Sequence, residues 1–443
     1  MEKLLALVLL LLIIPKAVGQ RENLDERILK LINTETDQYR RIYRDLHKNP
    51  ELSTMEFETS GKMAEELKSI GFDVTSGVGG TGVVGIFKNG EGKVIMLRTD
   101  MDALPVIENS GLDFSSRVLV KDASGKESPA MHACGHDLHM AVWLGTLKTL
   151  IALKSDWKGT IVAVAQPAEE ISDGSIAMIR DSLFQRFPKP DLALCYHVSA
   201  ELPAGTIGYF PGPIFAGVSS AEITVYGRGG HGALPHTTID PVILSASIIL
   251  DIQTIVSREI NPVKPAVITV GAIHGGTRPN IIPDEVRMLL TMRFFDEVVY
   301  DQIRTALLRI TKGDAVAAGL PEDKMPLVEF ENPYTPPVVN DPDLVLKSVE
   351  YMKEILGNEN LTLVEPAMVA EDFGQYGRTK EKIPIALFWL GGVNQNKYKD
   401  HIANGTHLPP LHSSSFVPDF DPAFKCGVSA MTRTVIDLLR NKK

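Results

Sequence analysis

The sequence predicts an α/β protein in which a larger sheet domain is interrupted by a smaller α+β domain. Short apolar runs alternate with helical patterns in both outer parts of the chain, which is typical of a sheet with helices on both faces. Between about residues 218 and 336 the order of elements changes. The chain has 443 residues, of which 44% are hydrophobic and 23% charged, so its composition is globular and its length allows two or three domains.

In the outer parts, apolar residues spaced by three and four predict helices, and short β-rich runs predict strands. The run 160–165 is apolar almost throughout, as expected of a buried parallel strand. The predicted helices are 24–46, 56–70, 139–153, 344–356 and 421–439, and the predicted strands are 82–87, 93–98, 160–165, 191–197 and 385–390.

The middle segment has the order β-α-β-β-α-β, which is the split arrangement of ferredoxin-like domains. Its predicted strands are 221–226, 266–273, 286–295 and 326–331, and its predicted helices are 241–258 and 299–318. We therefore predict that residues 218–336 form an inserted domain, with 20–217 and 337–443 as the two parts of the larger domain.

The first 19 residues have the pattern of a secretory signal peptide. Lys3 precedes an apolar run over 4–14, and Ala17-Val18-Gly19 matches a small-x-small cleavage site. A retained signal anchor is the alternative, and no later stretch is predicted to span a bilayer. The sequence thus predicts an exported protein, periplasmic or secreted, with no stable membrane anchor. A formal net charge of −10 gives no electrostatic basis for binding nucleic acid.

Four soft donors lie within eight residues of the string MHACGHDLHM: His132, Cys134, His136 and His139. Thiolate and neutral imidazole bind borderline cations, so this cluster predicts a metal site. For any single histidine a structural role is the alternative. The remaining cysteines, Cys195 and Cys426, complete an odd, sparse set that is not a disulfide framework.

Two carboxylates, Glu169 and Glu170, follow the apolar run 160–165 directly. Ligands bind beyond the carboxyl ends of strands in open α/β sheets, so these acids are placed where chemistry usually occurs. Adjacent side chains at a strand end are expected to point in different directions, so that one binds metal and the other acts as a base. His197 is predicted to close the neighbouring strand. A solvated loop is the alternative explanation of the acidic pair.

Several strings, taken together, resemble the M20 metallopeptidase family, and more narrowly its amidohydrolase branch of N-acyl-amino-acid amidohydrolases, hippurate hydrolases, N-acetyldiaminopimelate deacetylases and auxin-conjugate (IAA-amino-acid) hydrolases. They are LHKNPELS (46–53), LRTDMDALP (97–105), MHACGHDLH (131–139), AQPAEE (165–170), YHV (196–198), GRGGHGALPHTTIDP (227–241), NIIPD (280–284), AEDF (370–373) and PLHSSSF (410–416).

The resemblance implies a zinc-peptidase-like catalytic domain with a mixed sheet and two divalent metal ions. Manganese or zinc is expected, with cobalt or nickel as alternatives. The implied ligands are Cys134, His136, Glu170, His197 and His412. Glu169 is implied as the general base and acid, and Asp102 as the carboxylate that orients a ligand.

The resemblance also implies that the inserted domain is a lid and a dimerisation domain, in a homodimer formed through its edge strand. His231 is implied to reach the substrate, and Asn280 and Arg293 are candidates for binding a substrate carboxylate. The expected substrate is an N-acyl amino acid or amino-acid conjugate, whose amide is cleaved by metal-activated water. A dipeptidase or carboxypeptidase of the same fold is the alternative. A non-catalytic relative and a hydrolase with Cys134 as its nucleophile are further alternatives.

Overall fold

The computed structural model describes residues 23–121 and 125–440. The predicted signal peptide, residues 1–19, lies outside the described residues. Within them the chain forms a mixed α/β fold with one eight-stranded sheet and one four-stranded sheet, besides three two-stranded pairs. The α/β class predicted from the sequence is therefore confirmed.

The predicted helices begin and end close to their predicted positions, and among the described residues four helices that were not predicted accompany them. The helices are α1 (Leu24–Lys48), α2 (Phe57–Ser69), α3 (His136–Ala152), α4 (Gly174–Arg180), α5 (Leu183–Arg186), α6 (Pro241–Thr254), α7 (Glu297–Ala317), α8 (Pro342–Leu356), α9 (Gly374–Arg378), α10 (Gln395–Asn404) and α11 (Phe420–Leu439). The four that were not predicted are α4, α5, α9 and α10. Asn23 caps α1, because its side chain accepts from the backbone N–H of Asp25 at 2.7 Å. The Asn23 N–H in turn donates to the Glu26 carboxylate at 3.2 Å. Helix α3 begins three residues before the predicted start, since Gly135 in a left-handed conformation (φ 75°) turns the chain into it.

The strands, in chain order, are β1 (Asp73–Val78), β2 (Gly82–Asn89), β3 (Val94–Asp100), β4 (Leu119–Lys121), β5 (Glu127–Pro129), β6 (Gly159–Gln166), β7 (Leu192–Pro203), β8 (Ile207–Tyr209), β9 (Pro213–Phe215), β10 (Gly217–Tyr226), β11 (Gly230–His231), β12 (Ala266–Gly275), β13 (Ile281–Ile282), β14 (Glu285–Phe294), β15 (Leu327–Phe330), β16 (Val338–Val339), β17 (Leu361–Leu363) and β18 (Ile385–Val393). The edge strand β1 was not predicted, because its sequence DVTSGV has few apolar residues.

The eight-stranded sheet has the order β1-β2-β6-β3-β7-β18-β8-β17. Its centre is parallel, with β3 beside β6 and β7, and β18 beside β7. Alternate residues of β6 enter two different cores: Ile161 packs with α1, α3 and α11 on one face, and Val162 packs with α4 and α9 on the other. Covering both faces explains why this strand is apolar along almost its whole length.

The four-stranded sheet is antiparallel and has the order β12-β14-β10-β15. Helices α6 and α7 pack on it around a separate core that includes Ile223, Ile248, Met288 and Ile303. The elements follow the β-α-β-β-α-β order expected for residues 218–336. The exact boundaries of an inserted domain stay a prediction.

One helical segment in the described part of the chain, Pro241–Glu259, is long and apolar enough to cross a membrane, by length and composition only. This differs from the prediction that no such stretch follows residue 19. Leu244 and Ile252 of this helix pack into the core of the four-stranded sheet, whereas Ile243 and Leu250 are exposed. The helix therefore has two apolar faces, and one of them packs into this core.

Candidate metal centre

Cys134 lies at the centre of a cluster of donor atoms. Its Sγ is 3.5 Å from Nε2 of His197 and 3.3 Å from Nε2 of His412. Cys134 stands two residues before α3, and His197 lies on the neighbouring strand β7. His412 comes from a late loop, which is attached at this point because the His412 N–H donates to the carbonyl of Ala133 at 2.8 Å.

The prediction that His197 ends its strand is wrong. Strand β7 continues to Pro203, because its residues beyond His197 pair with Leu390, Gly391 and Val393 of β18. His197 therefore presents its ring from within the sheet, where its neighbours on both sides are fixed.

Two sets of three donors share Cys134: one contains His136 and His197, and the other contains Glu170 and His412. Within each set the ligand atoms lie within 4.8 Å of one another. The five residues named from the sequence would hold two divalent ions, since their thiolate, imidazole and carboxylate donors suit borderline cations. The structure thus brings all five predicted ligands together.

Two of the buried donor atoms have no hydrogen-bond partner, which is a second reason to expect metal ions here. Nε2 of His136 and Oε1 of Glu170 are buried, and among the described residues neither atom has a hydrogen-bond partner. Buried polar atoms are nearly always satisfied, and imidazole nitrogen and carboxylate oxygen are ordinary ligands of divalent cations. A metal ion is the partner that these residue types would take.

Asp102 faces His136 from the side opposite to the donor cluster. Its Oδ1 is 3.4 Å from Nδ1 of His136, and its Oδ2 accepts from Ser53 Oγ at 2.6 Å and from the Glu170 N–H at 2.9 Å. Burial acts to raise the pKa of Asp102, but His136 and these hydrogen bonds hold it below its usual range. Asp102 is therefore placed to orient His136 with Nε2 towards the other ligands.

His139 is not a ligand in this arrangement. Its Nδ1 donates to Asp100 at 2.7 Å and its Nε2 accepts from the Val198 N–H at 2.7 Å, so both ring nitrogens are occupied. His132 is also buried, and burial lowers its pKa to about 4, so its ring is neutral. His139 thus supports the loop, whereas neither ring nitrogen of His132 has a hydrogen-bond partner among the described residues.

The two adjacent glutamates face the same way. Glu169 and Glu170 approach Nε2 of His136 to 3.8 Å and 3.7 Å, which overturns the expectation that their side chains diverge. The chain turns sharply just before them, at Ala168 in a left-handed conformation (φ 51°). Burial and neighbouring carboxylates raise the pKa of Glu169, and burial raises that of Glu170 to about 7.

A cavity of about 480 Å³ opens beside this cluster. It is lined by four of the five predicted ligands, all except His136, and also by Glu169, Arg293 and apolar residues. Its lining includes Val218, Met368, Val369 and Leu411. Arg293 reaches it from β14 of the four-stranded sheet, and no ion pair joins it to another described residue. Burial lowers its pKa.

His231 and Asn280 are not among the residues that line the cavity. His231 lies in β11 and Asn280 directly precedes β13, where the Gly232 N–H donates to the Asn280 carbonyl at 2.9 Å, and both residues are exposed. Only Arg293, of the three residues named from the smaller domain, is brought to the cluster. The roles of His231 and Asn280 stay predictions.

A buried ionic network behind the cluster was missed by the sequence analysis. Arg98 donates to Asp100 at 2.6 Å, to Glu371 at 2.9 Å and to Asp372 at 3.2 Å. An arginine directly after the apolar run 94–97 was an available signal, because charged residues are rarely buried without a partner. Its partners could not be found from spacing, since Glu371 and Asp372 lie more than 270 residues away.

Clustered thiolate, imidazole and carboxylate ligands with a spare carboxylate in an open cavity define a metal-dependent hydrolase. The chain belongs to peptidase family M20/M25/M40, whose family model matches residues 96–407. The family, the fold class and metal-dependent hydrolysis of amide bonds, all predicted from the sequence, are confirmed.

Known relatives cover most of the chain. It is 37% identical to thermostable carboxypeptidase 2 of Saccharolobus solfataricus over 386 residues, covering 86% of this chain and 90% of the relative. It is 36% identical to N-acetyldiaminopimelate deacetylase of Exiguobacterium sibiricum over 374 residues, covering 83% and 92%. A solved structure from Bacillus subtilis, described as a dinuclear metal binding peptidase of this family, has a TM-score of 0.74 and 29% identity, with 92% of this chain and 99% of that chain covered.

Proposed function

We propose that the protein hydrolyses the amide bond of N-acyl amino acids or amino-acid conjugates, with Glu169 as the general base and acid. The observation that carries this proposal is the cavity that combines Glu169, residues of both donor sets and Arg293. A relative named for deacetylation of an amino acid supports the same substrate class.

The lining of the cavity offers a suitable partner for each half of such a substrate. An arginine without a carboxylate partner suits the free carboxylate of the amino-acid part, since a guanidinium binds carboxylate through two parallel hydrogen bonds. Met368, Val369 and Leu411 offer apolar contact to an acyl group. The volume is in the range of small-molecule sites.

Two divalent ions held by the five ligands would polarise the amide carbonyl and lower the pKa of bound water. Glu169 lies outside both donor sets that share Cys134, although it forms a further set with His136 and Glu170, so its carboxylate stands next to the ligands. It accepts a proton from the attacking water and delivers it to the departing amine nitrogen. We propose zinc or manganese for these positions, with cobalt and nickel as alternatives that elemental analysis would distinguish.

Glu169→Gln tests the assignment of the base. In metal-loaded protein assayed with N-acetyl and N-benzoyl amino acids, we expect kcat to fall by about 10²- to 10⁴-fold with the metal content unchanged. Unchanged hydrolysis by this variant would show that another group moves the proton.

The second candidate is a carboxypeptidase or dipeptidase activity, which is favoured by the similarity to a relative named carboxypeptidase. The two differ in whether the acyl side of the scissile amide carries an amine. Parallel kinetics with N-acyl amino acids and dipeptides separate them. Little or no release from the acylated substrates, with rapid cleavage of dipeptides, would favour the second candidate.

We propose further that the mature chain is exported and forms a homodimer through the smaller domain. The outer side of β12 is a sheet edge, and the neighbouring helix α6 exposes Ile243 and Leu250, which are 66% and 70% exposed. Unpaired strand edges and apolar patches favour self-association. Light scattering of the native protein and of Ile243→Glu tests the dimer. N-terminal sequencing of the expressed protein tests export, since a signal peptide would be cleaved near residue 19.

A further inference from the structure

Both ends of the turn that carries Glu169 and Glu170 are hydrogen-bonded to one buried carboxylate, that of Asp372. Both oxygens of Asp372 accept from Nε2 of Gln166, at 2.7 and 2.9 Å, and Oδ2 accepts from the Ser175 N–H at 2.9 Å. Gln166 is the last residue of β6, and Ser175 lies in the first turn of α4. Asp372 is fully buried and does not line the cavity.

Gln166 can present only its NH₂ group to Asp372. Its Oε1 accepts from Nε of Arg98 and from Oη of Tyr376, both at 3.0 Å. Rotating the amide by 180° would place its oxygen against the Asp372 carboxylate and its NH₂ against two donors. The Asp372 carboxylate is held in turn by Arg98 at 3.2 Å.

The turn is closed on itself between these two anchors. The N–H groups of Asp173 and Gly174 donate to the Ala168 carbonyl at 3.2 and 3.1 Å. A Cβ on Gly174 would lie 1.6 Å from the carbonyl oxygen of Pro167, so no larger residue fits where the two ends meet. Displacing one end of the turn therefore displaces Glu169 and Glu170.

We propose that Asp372 is a positioning residue, which holds the turn so that the Glu169 carboxylate faces the cavity at the correct distance from the metal ligands. This inference rests on the function proposed for Glu169. Asp372 acts through Gln166 and Ser175 and touches neither substrate nor metal. Its carboxylate also lies within 4.8 Å of those of Glu169 and Glu371, so an effect of its charge on Glu169 has to be separated from an effect on position.

Asp372→Asn separates the two effects when it is compared with Glu371→Gln. The asparagine keeps the shape but turns an NH₂ group towards one of the two donors, so we expect kcat for an N-acetyl amino acid to fall ~100-fold, as for a small misplacement of a reacting group. We expect KM within about threefold and two metal ions per chain retained. Glu371→Gln removes a negative charge beside Glu169 without touching Gln166 or Ser175, and we expect a loss below about tenfold.

The exchange Asp372→Asn with Gln166→Glu provides a rescue, because the carboxylate and amide trade places and the net charge is kept. We expect the double variant to recover at least about tenfold in kcat over Asp372→Asn alone, and it serves as the second test if the single variant folds poorly. Equal losses in Asp372→Asn and Glu371→Gln, a kcat of Asp372→Asn near wild type, or a loss that follows metal content would each overturn the proposal.

Glu169→Gln distinguishes failure of this inference from failure of the proposed function. An active Glu169→Gln enzyme would refute the role of Glu169 whatever Asp372 does. An inactive Glu169→Gln enzyme with an unaffected Asp372→Asn enzyme would refute only the positioning role.

Discussion

Nε2 of His412 lies 3.3 Å from Sγ of Cys134, although 278 residues separate them in the chain. The same nitrogen is 3.5 Å from Oε2 of Glu170, so His412 completes one of the two donor sets. Its side chain is 55% exposed, unlike those of the other four predicted ligands. His412 itself has a left-handed backbone conformation, with φ 65°. The second donor set is thus closed by a residue at the surface.

His412→Ala is expected to remove one metal ion per chain and most of the activity, with little change in the stability of the metal-free protein. An exposed side chain contributes little packing, whereas a lost ligand weakens metal binding directly. Metal content by elemental analysis and thermal unfolding with chelator check both parts. His407→Ala, at an exposed histidine of the same loop, is the control and should keep both ions. Full metal content in His412→Ala would contradict the assignment.

Arg293→Ala is expected to raise KM for N-acyl amino acids, because their free carboxylate would lose its charged partner. Charge-assisted hydrogen bonds contribute about 1.5–3 kcal/mol, which corresponds to a roughly 10- to 100-fold loss of kcat/KM. The loss should disappear for a substrate whose carboxylate is blocked as an amide. Arg287→Ala on the same strand, where the arginine is exposed and paired with Glu222, is the matched control. An equal loss for both substrates would show that Arg293 does not bind the carboxylate.

Removal of metal by chelation is expected to abolish hydrolysis, and addition of zinc or manganese to restore it. This result would exclude the alternative in which Cys134 is the nucleophile, since that reaction needs no metal. Thiol alkylation alone does not distinguish the two mechanisms, because it would also block Cys134 as a metal ligand. Activity that persists after chelation in protein free of metal by elemental analysis would instead support the cysteine mechanism.

The stability of the protein is expected to depend on His47 above neutral pH. Burial acts to lower the pKa of His47, but Nδ1 is 2.7 Å from Asp137 and Nε2 is 3.0 Å from Glu108, and these partners raise it to about 9. Because the folded-state pKa exceeds the unfolded value of 6.5, the contribution is fully present below about pH 6.5 and is lost as the pH rises through about 9.

Urea unfolding of the wild type and of His47→Gln at pH 6.5, 8 and 9.5 measures this contribution. The difference in unfolding free energy should shrink with rising pH, by at most ~3 kcal/mol in total. A difference that stays constant over this range would show that His47 is neutral in the folded protein.

Much of the site could be predicted from local sequence. Cys134 and His136 are two residues apart and close to the start of a helix, and an acidic pair follows an apolar strand, so residue type and placement indicated a metal site. The choice of Glu170 rather than Glu169 as the ligand came from the family resemblance. The network of Arg98 with Glu371 and Asp372 could not be predicted in this way. Its members lie on strands and loops far apart in the chain, and their pairing depends on which carboxylates the fold buries beside the guanidinium.

By itself, the sequence predicted the α/β class, the order of the main elements along the chain and a metal site around Cys134 and His136. These follow from hydrophobic periodicity and from donor chemistry, which are properties of short segments. The set of five ligands and the role of Glu169 came from the resemblance of whole strings to a family, and they stay predictions. Only the tertiary structure decided that both glutamates face His136, that His197 lies within its strand, and that Arg293 rather than His231 or Asn280 lines the cavity. The reason is that side-chain direction and long-range contact are set by how strands pair and how loops close, and no single segment contains that information.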